Sequence, residues 1–258
     1  MGKLSSYVTY FGLMAYLVAA KLTLMGVNFP DSMFPHPSQK AVFEWSFICI
    51  VTIAGLVGIA LARWTGFPEM WDPRVSTKQR FIIPALLGIA FGLIEIWADR
   101  ATGECRLVVE KLQLQRFHME FPASLLVYPG GAIIVDALYR LVPIPLVMAA
   151  VYLVAWPFLG KWPTRESHPA FQEKVFWPVA ILLSWFEPLT QSGVLSPLLG
   201  KPFKFKGHED LVAYWLVEGY AFNLLQAYLF RRFGFLACLT ARIALYLVWH
   251  VAWGYATQ

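Results

Sequence analysis

Long apolar runs, broken by short polar and proline-containing stretches, set the plan of this chain. Runs of about 20 mainly apolar residues, enough to cross a bilayer core as a helix, recur along it. They cover 7–27, 41–63, 81–98, 122–141, 143–160, 174–191, 210–230 and 234–256. The pattern predicts an all-α, polytopic membrane bundle of about eight transmembrane helices, forming one domain over residues 1–258. Only Leu141-Val142-Pro143-Ile144-Pro145 separates the fourth run from the fifth, which makes them antiparallel neighbours or a kinked pair.

The connecting stretches differ in character. The segment 28–40 carries Pro30, Pro35 and Pro37 and reads as an ordered, turn-rich link. The segment 64–80 is charged. In 99–120, Val108, Val109, Leu112 and Leu114 interleave with Arg106, Glu110, Lys111 and Arg116, the pattern of an interfacial amphipathic helix or a short hairpin. In 192–208, Lys201, Lys204 and Lys206 flank Phe203 and Phe205, a basic-aromatic surface segment suited to lipid headgroups. Lys3 precedes the first run and no Ala-x-Ala site follows it, so a retained first span is expected rather than a signal peptide.

Composition sharpens this picture. The 258 residues are 58% hydrophobic and 14% charged, against about 25% charged in soluble domains, and no stretch is left for a soluble domain. The net charge of +5 suits cytoplasmic loops beside anionic lipid. No basic cluster stands alone, so no nucleic acid is expected as a partner. Eleven Trp and eleven Tyr are present, several of them flanking the apolar runs as interfacial belts do. Lys3 favours an N-terminus inside, although Arg231-Arg232 would then lie outside. Cys49, Cys105 and Cys238 form no CxxC and no disulfide framework. Cys49 and Cys238 read as small core residues.

The candidate chemistry lies in ionisable groups at membrane depth, where charge is expensive and marks a functional site or an internal ion pair. Asp136 and Arg140 are four apart, so on a helix they stack as a pair, or Arg140 orients an acid in a water-lined cavity. Glu187 precedes Pro188, which would kink its helix, unless this glutamate lies near the membrane surface. Glu218 is central in its run and must be protonated or paired with an arginine or histidine. Arg242, Tyr246 and His250 are spaced four and four and share one helix face. Arg242 needs an anionic partner, with Glu218 the first choice and Glu187 the second. Asp136, Arg140, Glu218 and His250 are expected to face one interior cavity. Asn223 and Gln226 read as ordinary interhelical hydrogen bonders. His36, His118, His168 and His208 fall in loops and receive no role.

No HExxH, GxSxG or phosphate-binding glycine loop occurs. No cofactor is expected, and a neutral His250 could bind a metal, accept a proton or hold a water. The chemistry that remains is carboxylate-histidine acid/base work on a buried water.

Three segments together resemble the CAAX-protease and bacteriocin-processing membrane family, CPBP or Abi, whose motifs are Glu-Glu-xxx-Arg, Phe-xxx-His and His-xxx-Asn or Asp. The stretch 131–141 looks like the first, with Asp136 at the second Glu, Arg140 at the Arg and Val135 at the catalytic Glu. The stretch 184–190 looks like the second, with Phe186 matched and Thr190 in place of His. The third resembles His250-Val251-Ala252-Trp253-Gly254, in which Gly254 replaces Asn. The resemblance covers 120–256 as a CPBP-like core and leaves 1–98 as three further spans. It implies an eight-helix fold and an intramembrane endopeptidase site, but Val135 cannot move protons. Two functions follow. One is a degenerate, non-catalytic relative that binds membrane lipid, a membrane protein or a lipidated peptide. The other is an active endopeptidase with His250 and a substitute acid, Glu187 or Glu218. Either is expected in a prokaryotic plasma membrane. No repeated halves suggest a transporter.

Overall fold

The computed structural model describes residues 2–26, 43–163 and 167–257. Among these the chain is 79% helix with no strand. The proline-containing link 28–40 lies outside the described residues. Five helices are long and apolar enough to cross a membrane, the mark of a membrane protein: Leu4–Gly26, Trp45–Trp64, Lys78–Thr102, Ala123–Leu159 and Phe235–Ala256. In lipid the backbone must satisfy its own hydrogen bonds, and a helix does so within one segment.

We label the helices α1 (Gly2–Gly26), α2 (Trp45–Trp64), α3 (Lys78–Thr102), α4 (Glu104–Leu112), α5 (Ala123–Leu159), α6 (Pro169–Leu183), α7 (Phe186–Gln191), α8 (Glu209–Phe233) and α9 (Phe235–Ala256). The fourth and fifth apolar runs are not antiparallel neighbours. They form the single continuous helix α5, in which a wide π-turn at Ala137–Leu141 passes through Val142 into Pro143. Proline at this point sits at the start of a helical segment, where its missing N–H is tolerated. The helix α8, which holds the seventh run, carries acids at its start and arginines at its end and is not among the five apolar spans. The sixth run divides into α6 and the short α7.

α3 packs along α9 over its length, and α8 and the first half of α5 close around α9. The α3–α9 approach is close because Gly88 faces the backbone of Ala241, and any Cβ there would run into that carbonyl oxygen. α1 crosses α2 and α5, and the Tyr10 hydroxyl donates to the Val51 carbonyl at 2.7 Å. The second half of α5 lies on α2 and α6. Its outer face, with Leu153, Val154, Trp156 and Phe158, is exposed as lipid-facing residues are. Cys238 is buried, whereas Cys49 is exposed on α2 and is not a core residue. Cys49 shares that outward face with Ile50 and Ile53, so its apolar surroundings are those of a helix side turned outward.

In the folded chain one loop reading is decided between its two alternatives and another changes. The segment 99–120 contains the helix α4 and no hairpin. In 192–208 the three lysines are exposed, but Phe205 is buried against Val108, Val212 and Trp215. Arg231 is buried as well. It bonds Glu173, Gln172 and the Gly66 carbonyl and lies over the rings of Phe67 and Phe176, so it does not count as a loop charge in an orientation argument.

Candidate functional site

Where α5, α7, α8 and α9 meet, four ionised side chains and two amides form one buried cluster. Asp136 closes the regular turn of α5 and Arg140 sits in the π-turn that follows. That wider turn separates the two, and the i,i+4 pair read from the sequence is absent from the ion pairs of the described residues. Arg140 reaches instead to Glu187 Oε2 at 2.9 Å, to Gln226 Oε1 at 3.1 Å and to Asn223 Oδ1. Arg242 donates Nε–H to Asp136 Oδ1 at 2.7 Å. Its two terminal nitrogens donate to Glu187 Oε1 and Oε2, both at 2.8 Å, in the bidentate fork that suits guanidinium to carboxylate. Gln226 links the two halves, accepting from both arginines and donating to Asp136 at 3.0 Å. Asn223 donates to the Ser184 carbonyl at 3.1 Å.

Arg242 is therefore paired with Asp136 and Glu187, and Glu218 is not its ion-pair partner. A guanidinium stays charged, and the two carboxylates here can present three oxygens to it in a plane. Glu187 is 5% exposed, so its carboxylate is enclosed by protein. Asn223 and Gln226, 2% and 0% exposed, are interhelical hydrogen bonders as expected, and both belong to the cluster. Two positive and two negative side chains balance within it.

Above this cluster lies a cavity of about 330 Å³. Arg242, Glu187 and Asn223 form its floor, and Glu95, Glu218, Tyr246 and His250 stand in its walls. Phe117, Phe205 and Trp215 line it together with Val108 and Leu112 of α4. Glu218 and His250 thus share the cavity, whereas Asp136 and Arg140 are sealed beneath it at 0% and 1% exposure. The Tyr246 hydroxyl accepts weakly from Arg242 at 3.4 Å. Glu218 and Glu95 of α3 face the same cavity and their carboxyls interact with one another. Two buried acids placed together favour a state in which one of them keeps its proton.

His250 lies in a π-turn of α9, Leu247–Trp253. Its ring stacks on Tyr128, 4.3 Å between centroids, and its Nδ1 lies 3.3 Å from Nδ1 of His118. The other nitrogen of His118, Nε2, lies 3.6 Å from Cys105 Sγ. Burial lowers the pKa of His118 to about 4, partly offset by Asp99. Burial pushes the Cys105 thiol up, with Asp99 adding to it, so this sulfur stays protonated and is a poor nucleophile. Beside it, Glu104 accepts from Trp215 Nε1–H at 2.7 Å and anchors α4 over the cavity.

Of the positions that match the family motifs, His250 lines this cavity and Asp136 and Arg140 lie beneath it; the positions that depart from the motifs lie elsewhere. Val135, Thr190 and Gly254 are absent from its lining. The Thr190 hydroxyl bonds Tyr139 at 3.1 Å and the Phe186 carbonyl at 2.9 Å. Gly254 faces His118, whose Cβ would stand 2.6 Å from any Cβ at that position. Sequence reasoning passed over Glu95 and His118. Glu95 was legible as an acid inside the third apolar run; His118 carried no local signal, since a loop histidine gains its place only through folding. Among the described residues no group of three or more His, Cys, Asp or Glu could hold a metal ion. No family model matches the chain, and no curated protein or solved structure is similar to it.

Proposed function

We propose that the chain is a CPBP/CAAX-protease-like, multi-pass protein of a prokaryotic plasma membrane, without peptidase activity, that holds a membrane lipid or lipidated peptide in its inner cavity. The observation that carries this reading is the saturation of Glu187. Both its oxygens are held by Arg242, and Oε2 also by Arg140. An acid so engaged is a poor base for a water. Val135 offers no proton-transferring group in its place. The cavity itself suits a ligand with an apolar body and a polar end, since aromatic and aliphatic side chains line it around a polar floor.

One observation favours the second reading, an endopeptidase using Glu218: this acid and His250 line the same cavity. Both readings meet in one experiment. The purified protein in detergent is incubated with a fluorescent prenylated peptide. Saturable binding without cleavage supports the binding role. Cleavage that Glu218→Gln or His250→Ala abolishes establishes the endopeptidase instead. Absence of both binding and cleavage rejects the lipidated peptide as the ligand, and lipids retained through purification are then identified by mass spectrometry. A protein free of bound lipid would overturn the binding role.

A further inference from the structure

His118 and His250 stand between two cavities. His250 lines the inner one. His118 lines a second cavity of about 610 Å³, together with Asp99, Cys105, Arg106, Arg116 and Glu120. The two imidazoles meet Nδ1 to Nδ1 at 3.3 Å. Two neutral rings can make that contact only if one Nδ1 carries a hydrogen and the other accepts it. We propose that His118 and His250 form a proton bridge between the cavities, through which the outer cavity exchanges a proton with the Glu95–Glu218 carboxyl pair.

The hydrogen-bond inventory fixes a consistent chain. If His118 carries its hydrogen on Nδ1, its Nε2 is free to accept from the Cys105 thiol, 3.6 Å away. His250 then accepts on Nδ1 and holds its own hydrogen on Nε2. In the transfer, a proton from the outer cavity binds His118 Nε2. The Nδ1–H of His118 passes to Nδ1 of His250, and the Nε2–H of His250 leaves into the inner cavity. One proton enters, one leaves, and both rings end neutral in the opposite tautomer. The reverse movement restores the start. The bridge therefore charges and discharges a buried acid; it does not pump.

The surroundings suit this exchange. The low pKa of His118 disfavours a lasting imidazolium, so the rings trade tautomers instead of storing charge. Tyr128 and Tyr246 flank His250 at 4.3 and 5.0 Å between ring centroids and hold its plane. Glu95, Glu187, Glu218 and Arg242 are the charged groups of the inner cavity. Glu187 and Arg242 neutralise each other there, so the carboxyl pair is the group left to take up or give out a proton. Gly254 makes room for the His118 side chain, which ties the bridge to the backbone of α9.

The bridge stands on the His118–His250 geometry and not on the ligand-binding reading, so its test uses ligand-free protein. The first measurement is nitrogen NMR of the unaltered protein with labelled histidine. One Nδ1–H shared between His118 and His250 is expected, and two bare Nδ1 atoms would overturn the proposal. The second is time-resolved infrared after a pH jump, with the carboxyl band assigned by Glu218→Gln. Replacing His118 with Phe or Ala should slow its response by about 10²-fold, the low end for loss of a positioned proton-transfer group. Added imidazole should restore the rate in His118→Ala, which a purely structural role would not allow. A response at the parent rate in both variants, a loss that imidazole cannot rescue, or a carboxyl band indifferent to pH would each reject the bridge.

Discussion

The two polar regions of this protein lie one above the other and are built on opposite rules. In the lower one, Asp136, Arg140, Glu187 and Arg242 cancel in charge, and Asn223 and Gln226 tie them together. In the upper one, Glu95, Glu104 and Glu218 form no ion pair with a basic side chain among the described residues, and the histidines beside them are held neutral or bonded to each other. Burying a charge is tolerable when its partner is fixed and its remaining donors and acceptors are satisfied. The lower region meets that condition at every group but the Arg140 Nε–H, which has no hydrogen-bond partner, and is the keystone of the helix packing. The upper region meets it only by holding protons, which leaves its state open to solution conditions. Stability and responsiveness are thus divided between neighbouring layers of one bundle.

This contrast breaks hardest at Arg242. Replacing it with Leu leaves Asp136 without a cationic partner and Glu187 with Arg140 alone, and removing one partner of a buried pair costs about 3–5 kcal/mol. Chemical unfolding of Arg242→Leu in detergent should show that loss; unfolding at the parent's midpoint would mean the cluster is not a keystone. A smaller loss is expected for Arg140→Lys. The charge persists, but lysine cannot span Glu187, Asn223 and Gln226 as the guanidinium does. Orphaned buried acceptors cost roughly 1–3 kcal/mol, measured in the same way.

In the upper region the sign reverses. Glu218→Gln keeps a hydrogen-bonding group beside Glu95 and removes an acid that must be protonated or repelled. The variant should melt no lower than the parent, with a gain of up to about 1 kcal/mol, the net size of one hydrogen bond. A large loss would show that Glu218 is paired as the lower acids are.

A further contrast is a pair of opposed pH dependences at α4 and the loop after it, which cancel in the parent and show only in variants. Burial raises the pKa of Glu104 from 4.5 to about 7, against the Trp215 hydrogen bond and with help from Glu95 and Asp99. The folded protein binds more protons there than the unfolded chain, so this stabilisation is whole below pH 4.5 and fades as pH rises through about 7. His118, lowered from 6.5 to about 4, works the other way: its contribution is whole above pH 6.5 and is lost as pH falls through about 4. The two slopes offset each other in the parent. Melting curves of Glu104→Gln should rise with pH between about 4 and 6.5. Those of His118→Gln should fall between about 4.5 and 7. Parallel slopes in the two variants would contradict this assignment.

The sequence by itself determined the medium and the building material of this protein. Apolar runs about 20 residues long can satisfy their backbone in lipid only as helices, and ionisable groups inside them had to face inward. That reasoning marked Asp136, Arg140, Glu187, Glu218, Arg242 and His250 from spacing and depth alone. It could not assign partners, because a guanidinium chooses among acids by direction, and direction depends on how helices are rotated against each other. The π-turn at Ala137–Leu141 is such a case: it turns Arg140 away from Asp136 and leaves that acid to Arg242 on another helix. His118 is the other. In the chain it is a loop residue 132 positions from His250, and only the close packing of Gly254 brings their Nδ1 atoms within 3.3 Å. Hydropathy and spacing are one-dimensional and survive in the sequence, whereas the pairing of charges and protons is set by rotations of helices about their axes, which only the tertiary packing decides.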